Sequence, residues 1–362
     1  MKGNIIVGQS GGPTAVINSS LAGVFSAAKE LGVKKIYGMH HGIQGFLAED
    51  IVDLSEYVKN DADVEILKRT PSAFLGSCRY KLPKIEGNEE VYDKMFEIMD
   101  KYEIECLFYI GGNDSMDTIK MLSDYAAKKG KKQRFMGVPK TIDNDLPITD
   151  HCPGYGSAAK YIAASLKEVI RDNSSFGIEK PTVLICEIMG RHAGWLTAAA
   201  ALSRDEDCEG PDLIYLPEKT FDYDDFLARV KDLSVKKSSV VIAVSEGVKL
   251  ADGRFVCELG GGADFVDAFG HKQLSGCAVT LANKIAADTG LKTRAIEFST
   301  LQRAGTHIAS LNDINEAFNV GYLACKAANE GKTGMMITLE VTKRSPYEVT
   351  YGIHDIHQIA NV

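Results

Sequence analysis

Short apolar runs, each closed by a cluster of glycine and polar residues, recur along the chain. The first is Asn4-Ile5-Ile6-Val7-Gly8, followed by Gln9-Ser10-Gly11-Gly12-Pro13 and an amphipathic stretch to about Leu31. This pattern predicts strand, glycine turn and helix, the opening of a βαβ unit. Lys35–Met39 predicts a second strand. Residues 40–90 hold no sustained period and carry turn residues at Thr70-Pro71-Ser72 and Gly76-Ser77. Val91–Lys101 has helical spacing. Cys106–Ile110 reads as a strand ending in Gly111-Gly112-Asn113-Asp114-Ser115, with Ser115 the candidate cap of a helix to Lys128. Arg134–Val138 predicts the next strand, stopped by Pro139. Further strands are expected over Thr182–Met189, Asp212–Leu216, Val240–Val244, Thr293–Phe298 and Met335–Val341. Helices are expected over Tyr155–Arg171, from Gly194 to Leu202, and over Gln273–Asp288 and Ile314–Glu330.

The strand runs are continuously apolar, so both of their faces are covered, as in parallel sheets. Strands alternate with helices through nearly the whole chain. The fold class is therefore doubly wound α/β with mostly parallel sheets, and 362 residues suggest two domains. The polar clusters share one position. Gly8–Pro13, Gly111–Ser115, Pro139–Asp145, Gly190–Gly194, Ser245–Gly247 and Thr300–Gly305 each follow a strand. Taken singly, each glycine reads as a tight turn and Pro139–Asp145 as a polar loop. Parallel strands end on one edge, where open α/β sheets bind ligands, so six such clusters point to a common cleft.

Composition narrows the ligand. The formal charge is −8 with basic residues scattered, which disfavours nucleic acid. No apolar run is long enough for a membrane span, and the N-terminus enters a strand without a signal peptide. The eight cysteines include no C-x-x-C pair. That pattern excludes common zinc and redox motifs and fits a reducing cytoplasm. Gly8-Gln9-Ser10-Gly11 lacks the G-x-G-x-x-G spacing of a dinucleotide site. Gly331-Lys332-Thr333 follows a helix, with Lys326 where a Walker loop needs its first glycine. Paired glycines still let backbone N–H groups approach a phosphate. Lys140, Arg79, Arg191, Arg294 and Arg303 supply cations near these loops. With Asn113, Asp143 and Asp145 they suit phosphoryl transfer, which needs neutralised oxygens, a metal and a carboxylate to orient the acceptor hydroxyl.

These segments resemble the phosphofructokinase family from end to end. The resemblance rests on Ser10-Gly11-Gly12, Gly76-Ser77-Cys78-Arg79, Gly111–Ser115, Pro139–Asp145, Met189-Gly190-Arg191, Glu246-Gly247 and Gln302-Arg303. It implies two Rossmann-like domains with the active site in the cleft between them. Residues 1–150 with about 270–305 would bind the phosphoryl donor. Residues 151–269 with about 306–345 would bind the sugar phosphate, and 346–362 would be a C-terminal tail. Asp143 would accept the proton of the C1 hydroxyl of fructose 6-phosphate. Thr141, Met189, Gly190, Arg191, Glu246, Arg294, Thr300 and Arg303 would hold the sugar phosphate, and Arg191 would also act on the transferring group. Gly11, Gly12, Arg79 and Ser115 would hold the donor. Asp145 and Asn113 would organise Mg²⁺. The family further implies a homodimer or homotetramer, Arg294 being offered to the neighbouring subunit's site.

The donor turns on two positions. ATP-using relatives carry glycine where this chain has Asp114 and Lys140, and pyrophosphate-using relatives carry Asp and Lys. A carboxylate at Asp114 would stand where the α-phosphate of ATP must go. Two like charges about 4 Å apart cost about 1 to 4 kcal/mol. Lys140 would offset the charge of a pyrophosphate leaving group. The resemblance thus implies a pyrophosphate-dependent, Mg²⁺-dependent, reversible phosphotransferase. The alternatives are an ATP-dependent 6-phosphofructokinase, a non-catalytic subunit that binds sugar phosphate, and a nicotinamide dehydrogenase. Three positions depart from the family pattern. Asn113 replaces a metal-binding Asp, Thr182 falls about where ATP enzymes place a phosphate-binding Arg, and Thr300 replaces an aromatic residue or His.

Overall fold

The computed structural model describes residues 1–176, 180–260 and 274–361. The chain forms two compact units, one of Met1–Ser157 with Ala309–Val362, the other of Ala158–Ile308. In chain order the first unit contributes β1 (Asn4–Gln9), α1 (Ile17–Glu30), β2 (Ile36–Met39), α2 (Gly42–Leu47), β3 (Ile51–Asp53), α3 (Asp61–Arg69), α4 (Glu89–Lys101), β4 (Ile104–Gly111), α5 (Asn113–Lys129) and β5 (Arg134–Pro139). α6 (Tyr155–Ser174) leads into the second unit. There follow β6 (Thr182–Ile188), α7 (Trp195–Ala199), β7 (Leu213–Tyr215), α8 (Tyr223–Lys236), β8 (Ser239–Ser245), α9 (Cys277–Thr289), β9 (Lys292–Glu297) and α10 (Leu301–Ala304). The chain returns to the first unit with α11 (Leu311–Asn329), β10 (Met335–Arg344) and β11 (Tyr347–Asp355).

The first sheet has the order β11-β10-β5-β4-β1-β2-β3, and the second β7-β8-β6-β9. β1, β2, β4, β5 and β10 run parallel, while β3 and β11 are antiparallel edges. All pairs of the second sheet are parallel. The apolar runs are continuous because alternate residues enter opposite layers. Ile5, Val7, Cys106, Phe108 and Ile110 pack with Leu21 and Val24 of α1 and Ala324 of α11. Ile6, Leu107 and Tyr109, one residue out of phase, pack with Phe96 of α4 and Ile119 of α5. In the second unit Val183, Ile185 and Ile242 pack with Phe226 and Val230 of α8 and Leu281 of α9. The first sheet has a switch point between β1 and β4, from which the chain winds in opposite directions to β2 and to β5. That is where an open sheet leaves a crevice.

Several expectations are corrected here. The stretch 274–305 belongs with the second sheet, because β9 pairs with β6. The stretch 309–345 belongs with the first, because β10 pairs with β5. Residues 347–355 are an edge strand rather than a tail. Ser115 does not cap α5: the helix starts at Asn113 after Gly112, leaving Ser115 inside the first turn. α2, β3, α3 and α8 had no counterpart in the hydrophobic pattern. The helix expected from Gln273 starts at Cys277, and Gln273 lies outside the described residues. Among the described residues no helix is long and apolar enough to cross a membrane.

Candidate active site

Three of the six polar clusters stand side by side in the first unit, at the ends of the adjacent strands β1, β4 and β5. Their contacts are mutual. Lys140, at the end of β5, is only 3% exposed, and its Nζ donates to the Gly12 carbonyl at 2.8 Å. Gly11 has φ +74°, and a Cβ there would come within 3.4 Å of the same ammonium. A buried lysine keeps its charge when carbonyls solvate it and an anion lies near. Ser115 Oγ donates to Ser10 Oγ at 3.0 Å, joining the α5 N-terminus to the β1 loop. At Gly111 a Cβ would fall 1.8 Å from Ser115 Oγ, so only glycine lets the helix start this close to the strand.

Asp114 lies in the first turn of α5, partly buried. A carboxylate is favourable at a helix N-terminus, which is also where a phosphate would bind. Asp114 therefore places a fixed negative charge at the anion-attracting end of α5. Arg79 is exposed, on a strand-free arm tied to the glycine loop. Gly11 N donates to the Cys78 carbonyl at 3.0 Å, and Ser77 Oγ donates to the Gly11 carbonyl at 2.5 Å.

The segment after β5 is held as a tight loop. Thr141 Oγ1 accepts from Asp143 N at 3.1 Å. Asn144 takes a left-handed φ of 57°, and its Oδ1 accepts from Cys152 N at 2.8 Å. Thr141 N donates to the Pro153 carbonyl at 3.2 Å. Next to that strand of contacts, the buried Asp313 of α11 accepts from Gly154 N (2.9 Å) and Ser157 N (2.8 Å). Asp143 is half-buried and Asp145 exposed.

The donor set fits a hard divalent cation that shares its coordination with a substrate. Asp145 offers a carboxylate from the loop after β5, and Asn113 an amide oxygen from the first turn of α5. No group of three or more His, Cys, Asp or Glu among the described residues could hold a metal unaided. Magnesium is commonly held in this way, by one or two carboxylates together with phosphate oxygens and water. Asn113 Oδ1 accepts the backbone N–H of Asn361 at 2.9 Å, so a metal there would share this oxygen with the C-terminal segment. Sequence reasoning had no signal for that contact.

The second unit gathers the other three clusters at the ends of β8, β6 and β9. Gly190 has φ +151° and its N donates to Glu246 Oε1 at 3.4 Å. Ser245 Oγ donates to the Gly190 carbonyl. A Cβ on Gly247 would lie 2.1 Å from the Arg191 carbonyl, so these two turns touch through their backbones. Met189 N donates to Gln302 Oε1 at 3.1 Å, fastening the β6 turn to α10, which also carries Arg303. Thr300 is the exposed residue before α10. Arg294 stands apart from this set. It lies in the lower half of β9, opposite Leu184, where Nη1 faces Asp172 Oδ2 at 3.5 Å and the guanidinium covers the Phe176 ring at 4.6 Å.

One carboxyl of this unit was read only as part of a strand. Glu187, on β6 and 5% exposed, accepts from Ala278 N at 2.9 Å at the start of α9. Burial raises its pKa to about 7, against the backbone N–H groups of Ala278 and Cys277, with Glu297 and Glu246 adding repulsion. An acidic residue in the middle of an apolar run was the available signal.

Glycine turns at the strand ends of both sheets, with buried Lys140 and exposed Arg79 beside those of the first, fit a phosphoryl-transfer protein. Comparison with known proteins agrees. The family model for phosphofructokinase matches residues 4–328. The chain is 41% identical over 360 residues to the pyrophosphate–fructose 6-phosphate 1-phosphotransferase of Halomonas elongata, spanning 99% of this chain and 84% of that one. It is 39% identical to the enzyme of the same name from Xanthomonas campestris, with the same coverage. The crystal structure of the pyrophosphate-dependent phosphofructokinase from Nitrosospira multiformis superposes with a TM-score of 0.88 at 38% identity, over 100% of this chain and 85% of that one. The chain belongs to the phosphofructokinase family.

Proposed function

We infer that this protein transfers a phosphoryl group from pyrophosphate to the C1 hydroxyl of fructose 6-phosphate, giving fructose 1,6-bisphosphate and phosphate, reversibly and with Mg²⁺. The observation that carries the donor assignment is Lys140, buried with its ammonium on the Gly12 carbonyl beside Gly11. A compact cation held beside a glycine turn suits a small, highly charged leaving group. Asp114, at the anion-attracting end of α5, disfavours a longer polyphosphate.

The first unit takes the donor through Gly11, Gly12, Arg79, Ser115 and Lys140. The second takes the sugar phosphate through Met189, Gly190, Arg191, Glu246, Thr300 and Arg303. Asp143 orients the C1 hydroxyl and accepts its proton late, because a free carboxylate is too weak a base to ionise an alcohol outright. Lys140, Arg79 and Arg191 neutralise charge on the transferring group and leaving phosphate. Asp145, with Asn113, would hold Mg²⁺, which supplies charge neutralisation between the phosphates. Arg294, set apart from the strand ends, would serve the site of a second copy in a homodimer or homotetramer. A cytoplasmic location fits the eight cysteines, all free and buried.

Steady-state kinetics with fructose 6-phosphate test the proposal, with pyrophosphate and ATP as alternative donors. Turnover with pyrophosphate is expected. Turnover with ATP and none with pyrophosphate would overturn the donor assignment.

A further inference from the structure

Two buried amides of the first unit lie outside the residues assigned so far. Asn18, in the first turn of α1, is fully buried. Its Nδ2 donates to the carbonyls of Thr70 (2.8 Å) and Ser72 (2.7 Å). Its Oδ1 accepts from Phe74 N (2.8 Å) and from Gln9 Nε2 (2.8 Å). These four bonds use every donor and lone pair of a carboxamide. Gln9, at the end of β1 and equally buried, also donates to the Ile17 carbonyl (3.4 Å), and its Oε1 accepts from Leu75 N (2.9 Å).

Four backbone groups of residues 70–75 are therefore held by two side chains. That stretch has no strand or helix of its own and includes Ser72 at φ +64°. It leads directly into Gly76–Arg79, and Ser77 and Cys78 are bonded to Gly11. Hydrogen bonds from Asn18 and Gln9 hold residues 70–75, whose backbone continues into the arm carrying Arg79, and that arm is bonded in turn to the loop carrying Gly11. An amide is required. A carboxylate at Asn18 would accept from Phe74 N but would set an anionic oxygen against two carbonyls.

We propose that Asn18 and Gln9 are positioning residues of the phosphoryl-donor site, fixing the Gly76–Arg79 arm against the Gly11–Gly12 loop. The proposal rests on the assignment of Arg79 and Gly11 to the donor. Because the amides act through that arm, their loss falls on donor binding and leaves the sugar-phosphate side unchanged.

The test uses the full-length protein with Asn18→Asp, Gln9→Glu and Arg79→Ala, singly and with Asn18→Asp combined with Arg79→Ala. Kinetics are measured with whichever donor the unmodified protein uses. A preference for ATP would thus count against the functional reading and leave the positioning role open to measurement. Asn18→Asp removes two hydrogen bonds and should raise the donor KM by about tenfold or more. The KM for fructose 6-phosphate should stay within about twofold. In the Arg79→Ala background Asn18→Asp should add little, because both changes disable one arm. Gln9→Glu keeps the bond from Leu75 N and should give a smaller shift of the same kind. It serves as the readout should Asn18→Asp not fold. Folded variants with an unchanged donor KM, equal rises in both KM values, or fully additive effects with Arg79→Ala would overturn the proposal.

Discussion

At the scale of single residues, the proposed chemistry divides between Asp143 and the pair Asp114 and Lys140. Asp143 is proposed to orient the acceptor hydroxyl. Replacing it with Ser should lower kcat by about 10²- to 10⁴-fold, the usual worth of a positioned general base. An Asp143→Ser variant with full kcat in the forward assay would contradict its role. Asp114 and Lys140 are proposed to select the donor. Asp114→Gly removes the charge at the end of α5 and should raise kcat/KM for ATP. Lys140→Gly removes the buried ammonium and should weaken use of pyrophosphate. Unchanged donor ratios in both variants would leave the electrostatic account without support. Asp143, Asp114 and Lys140 stand out in the sequence because each lies in a polar cluster that directly follows an apolar strand run. The bonds made by Asn18 and Gln9 do not, since the partners Thr70 to Leu75 lie more than fifty residues away and lack a periodic pattern.

At the scale of elements, close backbone approach and burial set the constraints. α1 and α11 touch so tightly that a Cβ at Gly23 would fall 1.9 Å from the Phe318 carbonyl, and one at Gly321 2.1 Å from the Ser20 carbonyl. Gly23→Ala should therefore destabilise the protein by about 3 kcal/mol, despite alanine's better helix propensity, as urea unfolding would measure. A stability gain would show that the helices can separate freely. Glu187 gives a pH dependence. Its pKa rises from 4.5 to about 7 on folding, so the folded state holds the proton more tightly across that interval. Stability should fall as pH rises from 4.5 to 7, by up to about 3 kcal/mol, since the folded state must give up that proton. Thermal melts of Glu187→Gln should lack this slope, and retention of the full slope would assign it to other groups. The long apolar strands were readable because both faces are covered. α3 and α8 carried usable signals in their caps, Asn60 with Asp63 and Asp222, and in the spacing of Phe226 and Val230. β11 is mostly exposed and carries no apolar run, so its pattern holds no strand signal.

At the scale of the whole molecule, strand–helix alternation announced a doubly wound α/β protein, but sheet membership was hidden. A strand's local pattern says that it is buried, not which neighbour it pairs with. β9 therefore gives no sign in sequence that it pairs with β6, nor β10 that it pairs with β5. The order of motifs proved the more durable guide: three clusters end adjacent strands of one sheet and three those of the other. A buried lysine and a helix-end carboxylate are proposed to make pyrophosphate the donor. Paired measurements of kcat/KM on fructose 6-phosphate, with pyrophosphate and then ATP under identical Mg²⁺, test it most directly. The account predicts a value for pyrophosphate at least about 100-fold the higher, the equivalent of about 2.7 kcal/mol of discrimination. Equal values, or a preference for ATP, would contradict it.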